Sequence, residues 1–204
     1  LPKDPSPLRL GRGAQTEVEE RLRAARTNVL HALSHGARQV VVVTSAGPRE
    51  GASTTAAGLA RVLALSGHRV VLVGGDLRSP SAVGAPGAPG LAEVLVGTAR
   101  LSQVLVEGEV PGLELLPAGD MPGNPSELLG GRNMSDLLHH LAADRIVIID
   151  APPVCRFTDA VVLAEYAGGV LLVARAGRTS AEELREAALA VGQGGGHMLG
   201  VVLT

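Results

Sequence analysis

The chemistry that can be read most directly lies between residues 46 and 55. There Ala46-Gly47-Pro48-Arg49-Glu50-Gly51-Ala52-Ser53-Thr54-Thr55 follows an apolar run and leads into a helical pattern. A strand that ends in a Gly-containing turn and continues as a helix opening on hydroxyl residues has the form of a phosphate cradle. Its backbone N–H groups converge on an anion, and the helix N-terminus adds roughly half a positive charge. Ser53 or Thr54 would reach a magnesium ion, and a Lys ordinarily precedes them to meet the phosphates. Ala52 occupies that Lys position. On its own, a Gly-rich turn before a helix is a weak signal, so the context has to carry it.

Two aspartates supply that context. Asp150 ends the run IVIID and precedes Ala151-Pro152-Pro153. A carboxylate at the C-terminal end of a parallel strand, beside a phosphate loop, holds Mg²⁺ through water. Asp76 follows VVLVGG, at the strand end where ligands collect in open α/β sheets. Taken alone, each aspartate reads equally well as a helix cap or a turn residue.

These residues need a framework, and the apolar pattern provides one. Six apolar runs cover 40–46, 70–75, 113–117, 146–150, 170–176 and 199–203. Most are continuous, as in strands covered on both faces. Helical segments are expected near 53–66, 134–142, 158–166 and 181–192. An earlier helix is expected over 16–35, where Val18, Leu22, Ala25, Val29 and Leu33 recur at spacings of three and four. The alternation predicts an α/β fold with a mostly parallel sheet and helices on both faces, and with the phosphate loop at its first strand the expectation is a single P-loop domain. The domain is expected over 16–204, behind a Pro- and Gly-containing flexible tail over 1–15, with a mobile loop over 81–90.

Composition narrows the function. At 204 residues, 46% hydrophobic and 19% charged, the chain is globular. Tyr166 and Phe157 are its only aromatics, and its net charge is −2. It therefore offers neither stacking platforms nor a basic footprint, and nucleic acid is not an expected partner. With Cys155 as the single cysteine, a disulfide framework is excluded and a Cys-based zinc site is not expected. No apolar run reaches the ~18 residues of a membrane span, and LPKDPSPLRLGRG lacks the apolar stretch of a signal peptide. The absence of an initiator Met points to a processed or excised piece of a longer protein. Of 18 basic residues 17 are Arg, and the single Lys is Lys3, in the expected tail.

The segments TSAGPREGAST (44–54), VGGDLRSP (73–80), GLAEVLVG (90–97), LPAGDMPGNPSELL (116–129), IIDAPPV (148–154), TDA (158–160) and LLVARAGRT (171–179) resemble the bacterial tyrosine kinases. These are the P-loop autokinases of capsule and exopolysaccharide export, and order and spacing match from about residue 17 to 204. The resemblance implies nucleotide binding through Gly47, Pro48, Arg49, Glu50, Gly51, Ala52, Ser53 and Thr54, with ATP or ADP and Mg²⁺ as cofactors. It implies metal contacts from Ser53, Asp76 and Asp150, the two aspartates being the residual catalytic groups. Glu20, Arg23 and Arg26 in ERLRAARTN match the Glu-x-x-Arg-x-x-Arg pattern by which the family assembles into rings, which implies a homo-oligomer. Otherwise these three form a solvated charged face with intrahelical pairs. A membrane-embedded polysaccharide co-polymerase, separate or fused upstream, is the implied partner. The implied location is the cytoplasm, at the inner face of the membrane.

Departures from the family are equally informative. Its phosphate-loop Lys is Ala52 here. Its Asp-x-Asp-x-Arg motif reads Gly74-Gly75-Asp76-Leu77-Arg78, so the first carboxylate is absent. Thr204 stands where the family often has Asn near the adenine. The tyrosine-rich tail that the family phosphorylates is missing, and Tyr166 falls in a predicted helix. The expectation is a degenerate member that binds nucleotide weakly or not at all and acts as a scaffold or regulator. Alternatives are an active autokinase using unusual residues, or a partitioning-type ATPase relative. The latter should carry a second loop Lys and a membrane-targeting tail, and neither is visible. Arg49 could lend its charge to the loop, or could be a solvated loop Arg. His139 and His140 read as complements to a helix C-terminus. Cys155 reads as inert, and the role of Pro-Ser-Glu-Leu-Leu (125–129) has no account in the sequence.

Overall fold

The computed structural model describes residues 12–34, 38–79, 83 and 87–204, with side chains from Arg21 onward. Residues 1–11 of the expected tail, and 81, 82 and 84–86 of the expected loop, lie outside the described residues.

Among the described residues, seven strands form one sheet: β1 (Val40–Ser45), β2 (Val70–Gly74), β3 (Val106–Glu107), β4 (Leu113–Leu116), β5 (Ile146–Asp150), β6 (Gly169–Ala174) and β7 (Met198–Leu203), in spatial order β3-β4-β2-β5-β1-β6-β7. All pairings are parallel except β3 with β4. Strand β1 is central, in register with β5 (Val43 opposite Asp150) and with β6 (Val43 opposite Leu171). Its valines alternate between two cores, as a two-residue side-chain period requires. Val41 and Val43 pack with α1 (Arg12–Ser34) and α2 (Ala52–Leu65) on one face. Val40 and Val42 pack on the other face with α3 (Leu91–Val96), α6 (Arg132–Leu141), α7 (Asp159–Ala164) and α8 (Ala181–Gln193). Two short helices, α4 (Leu101–Val104) and α5 (Pro125–Leu129), complete the second layer. This is the expected α/β architecture, with an aliphatic core built almost wholly from Val, Leu, Ile and Ala.

Several details differ from expectation. Helix α1 begins at Arg12, within the expected tail. The elements β3, α3, α4 and α5 were not expected; each is six residues or fewer, too short to show a period. Helix α7 ends at Ala164, so Tyr166 lies in the turn beyond it rather than inside a helix. His139 and His140 fall in the last turn of α6, as expected.

Candidate nucleotide site and its metal edge

Because β1, β2, β5 and β6 run parallel, their C-terminal ends share one edge of the sheet. That edge gathers the phosphate-loop sequence, Gly74 to Arg78, Asp150 and the 174–180 loop. Every site residue expected from the sequence falls on it except the α1 trio.

The loop after β1 is rigidly built. Thr44 Oγ1 donates to the Pro152 carbonyl at 2.7 Å, and Ser45 Oγ donates to the Gly47 carbonyl at 2.8 Å. The Glu50 side chain is buried, and its Oε2 accepts from the Gly47 N–H at 3.1 Å. Gly51, at φ 95°, takes the left-handed turn that opens α2, and no side chain caps the helix there. The first amides of α2 are thus not claimed by a cap, as a phosphate cradle requires. Arg49, at φ 62°, is the one non-glycine residue with positive φ among the described residues, a conformation that costs about 1 kcal/mol or more. Its side chain is exposed, and its carbonyl accepts from Arg175 Nη1 at 3.2 Å. Thr204 Oγ1 donates to the Glu50 carbonyl at 2.9 Å, so the end of β7 braces the same loop. Ala52 and Ser53 are half-buried and Thr54 is exposed, all in the first turn of α2.

The loop after β2 has a different character. Gly74 lies opposite Asp150 in the register of β2 with β5. A Cβ at Gly74 would stand 2.8 Å from the Ala118 backbone nitrogen and 3.3 Å from the Ala118 Cα. A Cβ at Gly75 would stand 2.6 Å from Ile149 Cγ2 and 3.0 Å from the Asp150 carbonyl oxygen. The segment after β4 therefore fills the space that a side chain at position 74 would occupy. That segment is fixed in turn by α3: the Leu91 N–H donates to the Pro117 carbonyl, and Ala92 N–H to the Ala118 carbonyl. Glu93 joins the two, accepting from the Gly90 N–H at 2.7 Å and the Asp120 N–H at 3.1 Å.

Asp76 Oδ1 accepts from the Arg78 N–H at 3.0 Å. Burial pushes the Asp76 carboxyl pKa up and the nearby Asp159 charge adds to this, against the lowering by the Arg78 and Ser79 amides. The Arg78 side chain turns to Asp159 at the start of α7. Its Nε donates to Asp159 Oδ2 at 2.6 Å and its Nη2 to Asp159 Oδ1 at 3.1 Å, a bidentate pair with a fully buried carboxylate. Nη2 also donates to Ser126 Oγ at 2.9 Å, and Ser126 donates to Asp159. The guanidinium sits 4.7 Å from the centre of the Phe157 ring. The TDA and Pro-Ser-Glu-Leu-Leu motifs carry no role in the sequence alone, and these contacts supply one. An Asp at the start of a helix looks like a cap, so nothing local marked Asp159 as the partner of Arg78.

Ser53, Asp76 and buried Asp150 offer one hydroxyl and two carboxylates, all hard oxygen donors. That donor set fits Mg²⁺, which is held by one or two carboxylates together with nucleotide phosphates and water. On this edge the chain's own groups would orient and share the ion, and the ion would neutralise phosphate charge.

The remaining expected residues lie elsewhere. Arg23 is exposed on α1, and Arg26 Nη1 donates to Ser66 Oγ at 2.8 Å. With Arg61, Val62, Leu65 and Ser66 they line a cleft of about 360 Å³ between α1 and α2. Glu20 is on the same helix, with its side chain outside the described part. Tyr166 precedes β6, at the N-terminal edge of the sheet and so opposite the phosphate loop. Partial burial and then Glu165 push its phenol pKa up. Cys155 is exposed, and desolvation of the sulfur and the charges of Glu186, Glu183 and Glu50 raise its thiol pKa, in keeping with an inert residue.

No protein-family model matches the chain. Individual proteins do. Tyrosine-protein kinase YwqD of Bacillus subtilis is 36% identical over 188 residues, covering 90% of this chain and 79% of the relative. Tyrosine-protein kinase ptk of Acinetobacter johnsonii is 36% identical over 169 residues, and the chain spans only 23% of its length. Among solved structures, the kinase domain of the Escherichia coli tyrosine kinase ETK superposes with a TM-score of 0.86 at 31% identity, covering 91% of this chain and 74% of that one. The septum site-determining protein MinD of Pyrococcus horikoshii, complexed with Mg-ADP, shares the fold at a TM-score of 0.64 and 19% identity, covering 79% of this chain and 68% of that one. A loop, a sheet edge and a set of motifs matching the kinases along nine-tenths of the chain leave one assignment: this chain belongs to the bacterial tyrosine-protein kinase family.

Proposed function

We propose that this chain is a catalytically impaired member of its family, which binds ADP or ATP weakly with Mg²⁺ and serves as a scaffold or regulator in capsule or exopolysaccharide synthesis. The observation that carries this is the closure of position 74, where the Ala118 amide nitrogen would lie 2.8 Å from any Cβ. A catalytic carboxylate is not merely absent there; its space is taken. Ala52 removes the second group, the cation that would meet the phosphates. Phosphoryl transfer depends on positioning and on neutralising developing charge. Loss of one such group costs about 10²–10³ in rate. Binding should suffer less, because the loop amides and the uncapped start of α2 remain.

In this role the chain sits in the cytoplasm at the inner membrane face, held by a membrane-embedded polysaccharide co-polymerase, separate or fused upstream. It self-associates through Glu20, Arg23 and Arg26. The exposure of Arg23 and the Arg-lined cleft support that surface. Arg23→Glu should give a smaller particle than the parent in light scattering, and a parent that stays monomeric at high concentration removes the assembly claim.

The function is tested by incubating the chain with ATP and Mg²⁺, then looking for phosphotyrosine by mass spectrometry and titrating ADP by calorimetry. No phosphate on Tyr166 and ADP binding weaker than low micromolar are expected. Stoichiometric Tyr166 phosphate, or robust phosphorylation of a supplied tyrosine-rich peptide, would falsify the impaired reading in favour of an active autokinase.

A further inference from the structure

Asp76 is the one carboxylate that the loop after β2 keeps, and it follows two glycines. The sheet edge fixes the backbone of both glycines, the Gly75 N–H donating to the Asp150 carbonyl at 2.8 Å, but it does not set the direction of the Asp76 side chain. A hold on that side chain lies two residues on. Arg78 donates its N–H to Asp76 Oδ1, while its guanidinium is fastened to Asp159 by two bonds of 2.6 and 3.1 Å and to Ser126 by one of 2.9 Å. Ser126 closes the triangle on Asp159, and Phe157 covers the guanidinium. Asp159 is fully buried at the start of α7, and Ser126 lies in α5, so the anchor reaches two helices of the second layer.

We infer that Arg78, Asp159 and Ser126 are positioning residues that hold the Asp76 carboxylate in place for the magnesium ion of a bound nucleotide. The inference rests on the proposal that the site takes a magnesium nucleotide. None of the three would touch the ion. They act through the Arg78 amide and through the fixed path of the loop. Arginine suits this task because its planar fork fixes a direction as well as a charge. Outer partners of metal ligands typically contribute 10–100-fold to metal affinity.

The experiment is calorimetric titration of the full chain with ADP, with and without Mg²⁺, for the parent, Ser126→Ala, Asp159→Asn and Asp76→Asn, with thermal unfolding measured alongside. The quantity read is the factor by which Mg²⁺ tightens ADP. The parent should show such a factor. Ser126→Ala and Asp159→Asn should reduce it about tenfold or more, or to one where the parent factor is smaller. They should leave metal-free ADP affinity unchanged, and adding Asp76→Asn to Asp159→Asn should change nothing further. Variants that lose thermal stability but keep the magnesium factor overturn the inference, because the triad is then only a staple. A parent that binds ADP equally with and without Mg²⁺ also overturns it, while the nucleotide proposal survives. If the parent does not bind ADP at all, nucleotide binding fails and the inference falls with it. Ser126→Ala, which removes a single hydroxyl, keeps the test decisive if Asp159→Asn does not fold.

Discussion

Two loops at one sheet edge each lack a charged group that the resemblance to the family implies, and they lack it differently. After β1, Ala52 has replaced the expected Lys, but the backbone around it keeps the form of a cradle: Gly51 turns, α2 starts uncapped, and Glu50, Ser45 and Thr204 brace the loop. After β2, Gly74 has replaced the expected Asp, and the segment behind Ala118 has closed on it. The first loss removes atoms and leaves the frame. The second is built into the packing, so a residue of the same motif can be restorable in one loop and fixed in the next.

The largest expected effect tests the first loop. Ala52→Lys should tighten ADP, because an ammonium would regain a charge-assisted hydrogen bond to phosphate of about 1.5–3 kcal/mol. That corresponds to roughly 10- to 100-fold in Kd. Folding should be little affected, since Lys is nearly as good a helix former as Ala. Calorimetry with ADP and Mg²⁺ measures the gain. If affinity does not change, the loop is not a phosphate cradle, and the contrast between the two loops disappears.

Gly74→Asp should behave in the opposite way. The new Cβ meets backbone rather than a flexible side-chain end, so β4 and its following segment must move. Overpacking of this kind costs about 1–3 kcal/mol. Chemical denaturation should show the loss, and Ala52→Lys should show none. The double variant is then expected to gain no more ATP turnover than Ala52→Lys alone. An equally stable Gly74→Asp protein that adds turnover to Ala52→Lys would mean the closure yields easily, and that the family's carboxylate was lost without structural consequence.

The two loops also differed in how far the sequence could show them. Continuous apolar runs at 40–46, 70–75 and 146–150 carry the parallel sheet, and strand-turn-helix order carries the cradle, because both are written in local periodicity and turn chemistry. Asp150 and Asp76 follow from their places at strand ends. What closes Gly74 comes from the far end of β4, and a glycine's neighbours leave no mark on its own segment. Arg78 and Asp159 likewise sit in separate motifs, each with a sufficient local explanation as a turn or cap residue. The short elements α3, α4, α5 and β3 hold these long-range contacts and are too brief for a period to appear. The resemblance to tyrosine kinases placed 90–97 and 125–129 among the family's motifs without saying why they are there. Glu93 and Ser126 answer that in physical terms, since each ties a loop of the sheet edge to a helix of the second layer.

Glu93 gives the smallest and most pH-sensitive test of the closed loop. Burial alone would raise its carboxyl pKa, but the amides of Gly90, Asp120 and Glu93 itself outweigh burial and hold it below its ordinary value of 4.5. A carboxyl depressed in the folded state stabilises the fold above the unfolded value, and the contribution is lost as pH falls through the folded value. Glu93→Gln should therefore destabilise the protein at pH 7 by about 1 kcal/mol, the size of a capping interaction. The gap between parent and variant should narrow as pH drops below about 4.5, where the parent carboxyl also becomes neutral. Urea unfolding of both proteins at pH 7 and at several values below 4.5 would follow this convergence. A gap that stays constant across that range would mean that the amides at Gly90 and Asp120 do not depend on the Glu93 charge. The neutral side chain would then hold the segment closing Gly74 as well as the charged one does, beside the backbone bonds of Leu91 and Ala92.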